Sequence, residues 1–517
     1  MAPAEGGVVD MAMSGGGVEG VRTKTGGSLP TCHLVDHLTA DLVEMLRCCE
    51  SCMGPQGRLK MVVSTSGALR TTSTSCRLWS LLQFDHPLAE FIMQAAGRVE
   101  DHGLLASSLT CRLLLSTCRS WDATWLAERV EEASVAMDLG SLPALVSMAR
   151  TVLGAKAAAS GLLREEVDRL SRKVVEAWLL TLPEGEGEMG EVVVRVTEGR
   201  AGEVAVGRGL LYRYEPTFGQ GVGRREGVRV ALYNVMLDHH QGGEEWEGLE
   251  LEFTREGEGL DLVDQVRGLG VRLVLCQKVV GEEVQARLEE ELGVLVVDRL
   301  GTAAFSRVAR MVGGRVVSSS SHRLEAKDLG WVDVVEEVEV QGSTYLRLEK
   351  QGSGLVSLGV GSLGEEQGEE LEIGLGRAVA GLSHLATMAR PRVVPGGGCL
   401  EAVLAMQGEG HLAGALLRLA LVPAGLTMEE ASIDTTHGHL WGEGESCVCG
   451  LVAMVEGMEV VPCLEVLHGA GREVAPVGRM EGGGRLLLDS MDTKPRALQA
   501  ALETATNLAD IGIVLTC

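Results

Sequence analysis

The spacing of apolar positions predicts a chain that is helical at both ends and mixed α/β in the middle. Residues 1–28 are rich in Gly (Gly15-Gly16-Gly17, Gly26-Gly27) and are read as a disordered tail. Val35, Leu38, Leu42, Met45, Leu46 and Cys49 then repeat at the i, i+3, i+4, i+7 spacing of one apolar helix face, predicting a helix from about 31 to 52. Gly54-Pro55 ends it, because Pro cannot continue a helix and Gly accepts the turn. Further helices are expected at 87–100, 104–119, 123–138, 141–153 and 162–181.

The pattern changes after Pro183. Segments 191–197, 203–206 and 227–236 run or alternate in Val between Gly-rich and acidic turns, as strands do. The acidic stretch 241–258 has poor periodicity and reads as an exposed loop. The strongest supersecondary signal follows: apolar 273–276, amphipathic 281–292, apolar 294–297 and amphipathic 302–312 form a βαβα unit with a parallel strand pair. Helices return at about 366–390, 399–421 and 496–515, the last with a stripe of Leu498, Ala501, Leu502, Ala505 and Leu508. Such an order lets both ends build one helical domain with the α/β part inserted, although periodicity alone does not join the ends.

Composition narrows the function. At 517 residues there is length for two or three domains. Aromatics are only 3%, so the core rests on Leu, Val and Ala. A net charge of −26 argues against a nucleic-acid partner, which would require a surplus of Lys and Arg. No apolar run is long enough to span a membrane, and the start of the chain lacks the basic and apolar segments of a secretory signal. The 13 cysteines, including Cys48, Cys49, Cys52, Cys447 and Cys449, form no paired CxxC set and read as reduced thiols. His437-Gly438-His439 has no neighbouring ligand cluster in sequence, so no metal site is expected.

Four short stretches carry a family resemblance: Met53-Gly54-Pro55-Gln56-Gly57-Arg58-Leu59-Lys60-Met61, Asp85-His86-Pro87, Leu273-Val274-Leu275-Cys276-Gln277-Lys278 and Val394-Pro395-Gly396-Gly397-Gly398-Cys399-Leu400-Glu401. In this order the chain resembles the group II chaperonins from about residue 31 to 515. Within them Gly54–Lys60, Leu275–Val279, Val297-Asp298-Arg299-Leu300-Gly301 and His437-Gly438-His439-Leu440-Trp441 are similar to the McKusick–Kaufman and Bardet–Biedl chaperonin-like group. The resemblance implies an α+β multidomain fold. A helical equatorial domain would comprise 29–139 and 399–517, a small intermediate domain 140–202 and 351–398, and an α/β apical domain 203–350. The family's apical protrusion would be shortened to the acidic segment near 241–260.

The resemblance also implies where an ATPase pocket should be, and the residues there depart from the family pattern. Gly54, Pro55, Gly57 and Lys60 match the first phosphate loop, but Arg58-Leu59 replaces Met-Asp. The second loop, normally Thr-Asn-Asp-Gly, falls on Thr72-Ser73-Thr74-Ser75 and has lost its acid and its glycine. The third falls on Glu100-Asp101-His102-Gly103-Leu104, where Asp101 remains as a metal carboxylate while Glu100 would repel phosphate. Arg377 stands where the family has its water-orienting Asp, and Gly374 to Val379 contain no acid. Arginine stays protonated and cannot serve as a base. Gly54, Pro55, Gly57, Lys60, Asp101, Gly396, Gly397 and Gly398 thus read as a vestigial nucleotide pocket with no catalytic residue and no cofactor. Helix termination at Gly54-Pro55, a hinge at Gly396-Gly397-Gly398 and a surface or capping Asp101 are structural alternatives.

The expectation is a non-enzymatic chaperonin-like protein in the cytoplasm, at the centrosome and basal body, assisting assembly of the ciliary BBSome. The partners implied are other chaperonin-like Bardet–Biedl proteins, the cytosolic ring chaperonin and BBSome subunits. Val284, Leu288, Phe305, Val308 and Met311, on the two amphipathic segments of the βαβα unit, are candidate protein-binding residues. A stable homomeric double ring is not expected, since little chain follows the last helix to extend a neighbour's sheet. Two other readings remain open: a divergent ATP-dependent folding subunit, and a metal- or thiol-dependent enzyme using the cysteines and His437-Gly438-His439.

Overall fold

The computed structural model describes residues 29–63, 67–82, 87–99, 102–116, 123–183, 187–200, 203–213, 223–237, 262–319, 322–340, 343–408, 410–422, 487–510 and 513–514. The expectations for the tail 1–28, the acidic segment 241–260, Asp85-His86, Glu100-Asp101, His437-Gly438-His439, Cys447 and Cys449 lie outside these residues.

Both ends of the chain do pack into one helical region. Helix α1 (Thr31–Glu50) is joined by the hairpin β2 (Lys60–Val63) and β3 (Leu69–Thr72) to α2 (Ser75–Leu81), α3 (Pro87–Gly97), α4 (Gly103–Leu114) and α5 (Ala123–Ala133). From the other end come α12 (Cys399–Gln407), α13 (Gly410–Leu421) and α14 (Thr493–Asp510). Helix α4 is buried at every position except Arg112, and α1, α3, α13 and α14 pack around it. Leu498, Ala501, Leu502, Ala505 and Leu508 form the buried face of α14, where the apolar stripe placed them. A two-stranded pairing of β1 (Leu29–Pro30) with β17 (Ile513–Val514) ties the ends together. A strand therefore does follow the last helix and is used within this chain. Val135–Ala136 (β4), Arg392–Pro395 (β15) and Leu488–Ser490 (β16) form a three-stranded sheet beside the helices.

Next to this lies a layer in which α7 (Arg164–Leu179) and α11 (Glu365–Thr387) cover a three-stranded sheet, with α6 (Leu142–Gly154) packed on both helices. Its central strand β14 (Leu355–Ser362) is buried at every position and pairs parallel with β5 (Glu191–Glu198) and antiparallel with β6 (Val204–Arg208).

The inserted part is a seven-stranded mixed sheet. Strands β8 (Arg224–Tyr233), β9 (Leu273–Cys276) and β10 (Leu295–Val297) are parallel neighbours, as the βαβα pattern required. Val316–Val317 (β11) adds to β8 in parallel, while β12 (Gly330–Val340), β13 (Ser343–Glu349) and β7 (Leu210–Arg213) continue the sheet antiparallel. Alternation along the strands splits the apolar side chains into two cores, Leu273, Leu275 and Val297 on one face and Val274, Cys276 and Val296 on the other. Helices α8 (Leu262–Leu269) and α9 (Glu282–Ala286), the latter continuing as a π-turn over 287–291, contribute to the second core, and α10 (Thr302–Val312) to the first.

That placement corrects one expectation. Val284 and Leu288 are buried in the second core and Phe305, Val308 and Met311 in the first, so none of the five forms a surface. The amphipathic spacing was real, but the apolar faces turn toward the sheet. A second correction concerns 399–421, which is two helices rather than one, interrupted between Gln407 and Gly410.

Candidate functional site

A cavity of about 660 Å³ lies where the helical region meets the α6–α7–α11 layer. Its wall includes Gly54-Pro55, the turn 154–157 after α6, Gly397-Gly398, and Leu487, Asp489 and Lys494. Of the vestigial pocket residues, Gly54, Pro55, Gly397 and Gly398 line the cavity, while Gly57, Lys60 and Gly396 stand outside its wall.

The retained glycines have structural work of their own. A side chain on Gly57 would begin 2.3 Å from the Cys52 carbonyl oxygen, so the turn closes onto the end of α1 only without one. Gly398 has φ +92°, and a Cβ there would meet the Ala420 carbonyl oxygen at 2.4 Å.

Two buried ionic clusters flank the cavity. In the first, the Lys494 ammonium lies 3.1 Å from Glu401 Oε1 and 3.3 Å from Asp489 Oδ2, with all three residues at most 8% exposed. His102 Nε2 stands 3.6 Å from Asp489 Oδ1, which also accepts the Ser490 N–H. Burial alone would push the Asp489 carboxyl up, but Lys494 and His102 outweigh it and hold it well below its ordinary range. Burial likewise disfavours charge on Lys494, yet Glu401 and Asp489 raise it above its ordinary value. The one cation is thus shared between two carboxylates within the fold, with His102 and the Ser490 N–H as the further partners of Asp489.

The second cluster is built on residues 72–74. Strand β3 ends at Thr72, Thr74 is extended, and α2 begins at Ser75. Thr74 occupies the N-cap position, but its hydroxyl makes no cap hydrogen bond. It donates instead to Glu370 Oε2 at 3.0 Å. Ser73 Oγ donates to the same oxygen at 2.7 Å. Glu370 Oε1 accepts from Thr72 Oγ1 at 2.6 Å and from the Ser73 N–H at 3.0 Å. The Lys156 ammonium, 3.4 Å from Glu370 Oε2, donates to Ser73 O at 2.5 Å and Ser73 Oγ at 2.7 Å. Burial alone would raise the Glu370 carboxyl; Lys156 and the hydrogen bonds from Thr72 and Ser73 bring it down to about 2. Burial lowers Lys156, with Glu370 opposing and the nearby positive charge of Arg377 adding to the lowering. An outer salt bridge, Arg77 Nη1 to Glu369 Oε2 at 2.5 Å, also joins α2 to α11.

Glu370 is thus the carboxylate at this site, two turns before Arg377 on α11. The sequence reading sought an acid at 374–379 and missed it. The signal was available: Glu370 belongs to a helix stripe with Leu371, Gly374, Leu375 and Ala378, all of which are buried. Ser73, Thr74 and Ser75 are buried and, like Arg377, do not line the cavity. Asp101 lies outside the described residues. Among the described residues no three His, Cys, Asp or Glu side chains converge to hold a metal ion, and Cys48, Cys49, Cys52, Cys76, Cys111 and Cys276 are free thiols. No helix among them is long and apolar enough to cross a membrane.

Known proteins are similar to this sequence over nearly its whole length. The molecular chaperone MKKS of Mus musculus is 25% identical over 549 residues, covering 90% of this chain and 93% of that protein. The Homo sapiens MKKS is 25% identical with 93% and 96% covered. Thermosome subunit alpha of Sulfurisphaera tokodaii is 22% identical, with 91% and 88% covered. The family model of the TCP-1/cpn60 chaperonins matches residues 126–409, more than half of the chain. This chain therefore belongs to the TCP-1/cpn60 chaperonin family.

Proposed function

We propose that the chain is a non-catalytic chaperonin-like protein that acts by binding other proteins, helping to assemble the ciliary BBSome with other chaperonin-like Bardet–Biedl proteins and the cytosolic ring chaperonin. Its place of action would be the cytoplasm, centrosome and basal body. The observation that carries the non-catalytic reading is the pair Glu370 and Arg377. The loop that should offer an acid offers hydroxyls already bound to Glu370, and the position of the water-orienting acid holds a cation. Likeness to the MKKS molecular chaperones over nearly the full length of both chains supports a chaperone-like role.

Protein binding needs a surface, and α9 and α10 do not present an apolar one. The hairpin β2–β3 does. Met61 and Val63 point to one face of β2, and Leu69 is the register partner of Val63. All three are at least 60% exposed. A cluster of this kind on a short two-stranded sheet suits a protein partner that covers it.

Affinity purification from ciliated cells, with the parent chain and a Met61→Ser/Leu69→Ser variant, tests the reading. Recovery of BBSome or chaperonin components with the parent and their loss with the variant is the expected result. A parent chain that recovers none of them would overturn it. A second reading, a divergent ATP-dependent subunit, is favoured by the cavity itself, whose volume suits a small-molecule ligand. Nucleotide-dependent phosphate release by the pure protein would establish that reading instead.

A further inference from the structure

We propose that residues 72–74 and Lys156 form an oxyanion seat for a carboxylate or phosphate, and that Glu370 is its built-in occupant. The inference is independent of which complex the chain helps to assemble. Four donors converge on the Glu370 carboxylate: the Ser73 N–H and the hydroxyls of Thr72, Ser73 and Thr74. The Lys156 ammonium is the adjacent positive charge. Donors converging beside a cation are the chemistry with which proteins hold carboxylate and phosphate ligands. Here the anion is supplied by a residue 297 positions away in sequence from Ser73.

The donors belong to this seat rather than to the helix beside it. Thr74 occupies the N-cap of α2, yet its hydroxyl turns to Glu370 instead of capping the helix. The Ser73 hydroxyl donates to Glu370 while accepting from Lys156, so it relays the ammonium to the carboxylate. Glu370 is 1% exposed and Ser73 and Thr74 are buried, so the carboxylate meets these donors away from bulk solvent. Removing that carboxylate would strand four donors and one cation, a state that either destabilises the protein or recruits an anion from solution.

The seat also has a mechanical consequence. Glu370 stands on α11, whereas 72–74 lead into α2, so the occupied seat clasps the middle layer to the helical region. A tethered carboxylate acts at high effective concentration, and a free anion enters only when that tether is cut or displaced. The clasp therefore keeps external phosphate out of this loop without any steric plug in the cavity.

The test removes the occupant and supplies a replacement. The full chain carrying Glu370→Ala is melted in sodium chloride, sodium acetate and sodium phosphate at equal ionic strength, beside the parent and Glu370→Gln. The Ala variant is expected to melt several degrees below the parent in chloride and to recover most of that loss in acetate, phosphate or both. Glu370→Gln fills the seat without charge and should gain no more than the parent, which controls for the general salting effect of phosphate. Recovery in acetate alone identifies a carboxylate seat, and recovery in phosphate defines a broader oxyanion seat. If the Ala variant does not fold in chloride, refolding in acetate or phosphate is the supporting result. Adding Lys156→Met should abolish the response. An anion gain in Glu370→Ala no larger than in the parent or in Glu370→Gln, or no refolding in any anion, overturns the proposal.

Discussion

The two buried ionic clusters flanking the cavity solve the same problem in different ways. Around Lys494 one cation faces two carboxylates, drawn from α12, β16 and α14, and Asp489 has His102 and the Ser490 N–H as further partners. Around Glu370 one carboxylate faces one cation and four neutral donors, drawn from two regions of the fold. The first cluster stabilises one region internally. The second couples regions, and its strength is spread over many hydrogen bonds rather than concentrated in a charge pair. Removing one group should therefore cost most where a single charge serves two buried partners and few neutral donors share the burden.

The largest effect is expected from Lys494→Met. It leaves Glu401 buried without its cation and Asp489 with only His102 and the Ser490 N–H, and one oxygen of Glu401 already lacks a hydrogen-bond partner among the described residues. Breaking such a buried pair costs about 3–5 kcal/mol. Urea unfolding measures it, and a loss below about 1 kcal/mol, the scale of a surface ion pair, would show that solvent reaches this cluster.

Acid tests the carboxylates of both clusters next. The Glu370 carboxyl is held at about 2 against an ordinary 4.5. A lowered carboxyl stabilises the fold fully above pH 4.5 and loses that contribution as pH falls toward 2, a change on the order of 3 kcal/mol. Asp489 behaves likewise from its ordinary 3.8 downward, whereas the raised Lys494 keeps its contribution below 10.5 and loses it only as pH rises through its higher value. Chemical denaturation between pH 5 and pH 2 should fall steeply for the parent and less steeply for Glu370→Gln. Equal slopes would remove Glu370 from the acid limb.

How much of this was legible in the sequence differs between fold and site. The α14 stripe and the βαβα unit were read because apolar spacing is dictated by burial, and both are found where expected. Strands β12 and β13 were not read, because a run such as Val335-Glu336-Glu337-Val338-Glu339 is rich in an acid that strands disfavour. Their acidity is met across the sheet: Arg347 lies 2.7 Å and Arg224 3.1 Å from Glu336. No local pattern reveals those partners. Gly54, Gly397 and Gly398 of the cavity wall are legible in the sequence, yet Gly154 and Glu370 are not, since a carboxylate that satisfies a distant loop carries no mark of that loop. The amphipathic segments 281–292 and 302–312 were located correctly, but periodicity does not say whether an apolar face meets a partner or the chain's own sheet.

A smaller effect tests how the second cluster shares its load. Thr74→Val keeps shape and removes one of the four donors to Glu370. A hydrogen bond to a charged group is worth about 1.5–3 kcal/mol, and the remaining donors should hold the loss to the lower end. Urea midpoints for Thr74→Val and Lys494→Met, measured together, give the comparison directly. A Thr74→Val cost equal to that of Lys494→Met would mean the donors act as a unit rather than as substitutes.

The smallest effect expected is none: Arg377→Asp should not produce ATP hydrolysis. The substitution returns an acid to the position that orients water in the family this chain resembles, but three features of the site oppose its use. Loop 72–75 still has no acid of its own. Its Ser73 N–H and three hydroxyls remain engaged by Glu370, so they are not free to receive a phosphate. The new carboxylate would also stand near Lys156, replacing a positive neighbour with a negative one, and would draw the ammonium toward itself instead of leaving it for a ligand. Phosphate release by Arg377→Asp should therefore stay at the background of the parent. Turnover above that background would show that the Glu370 cluster opens readily, and would reverse the contrast between a cluster that only stabilises and one that also excludes.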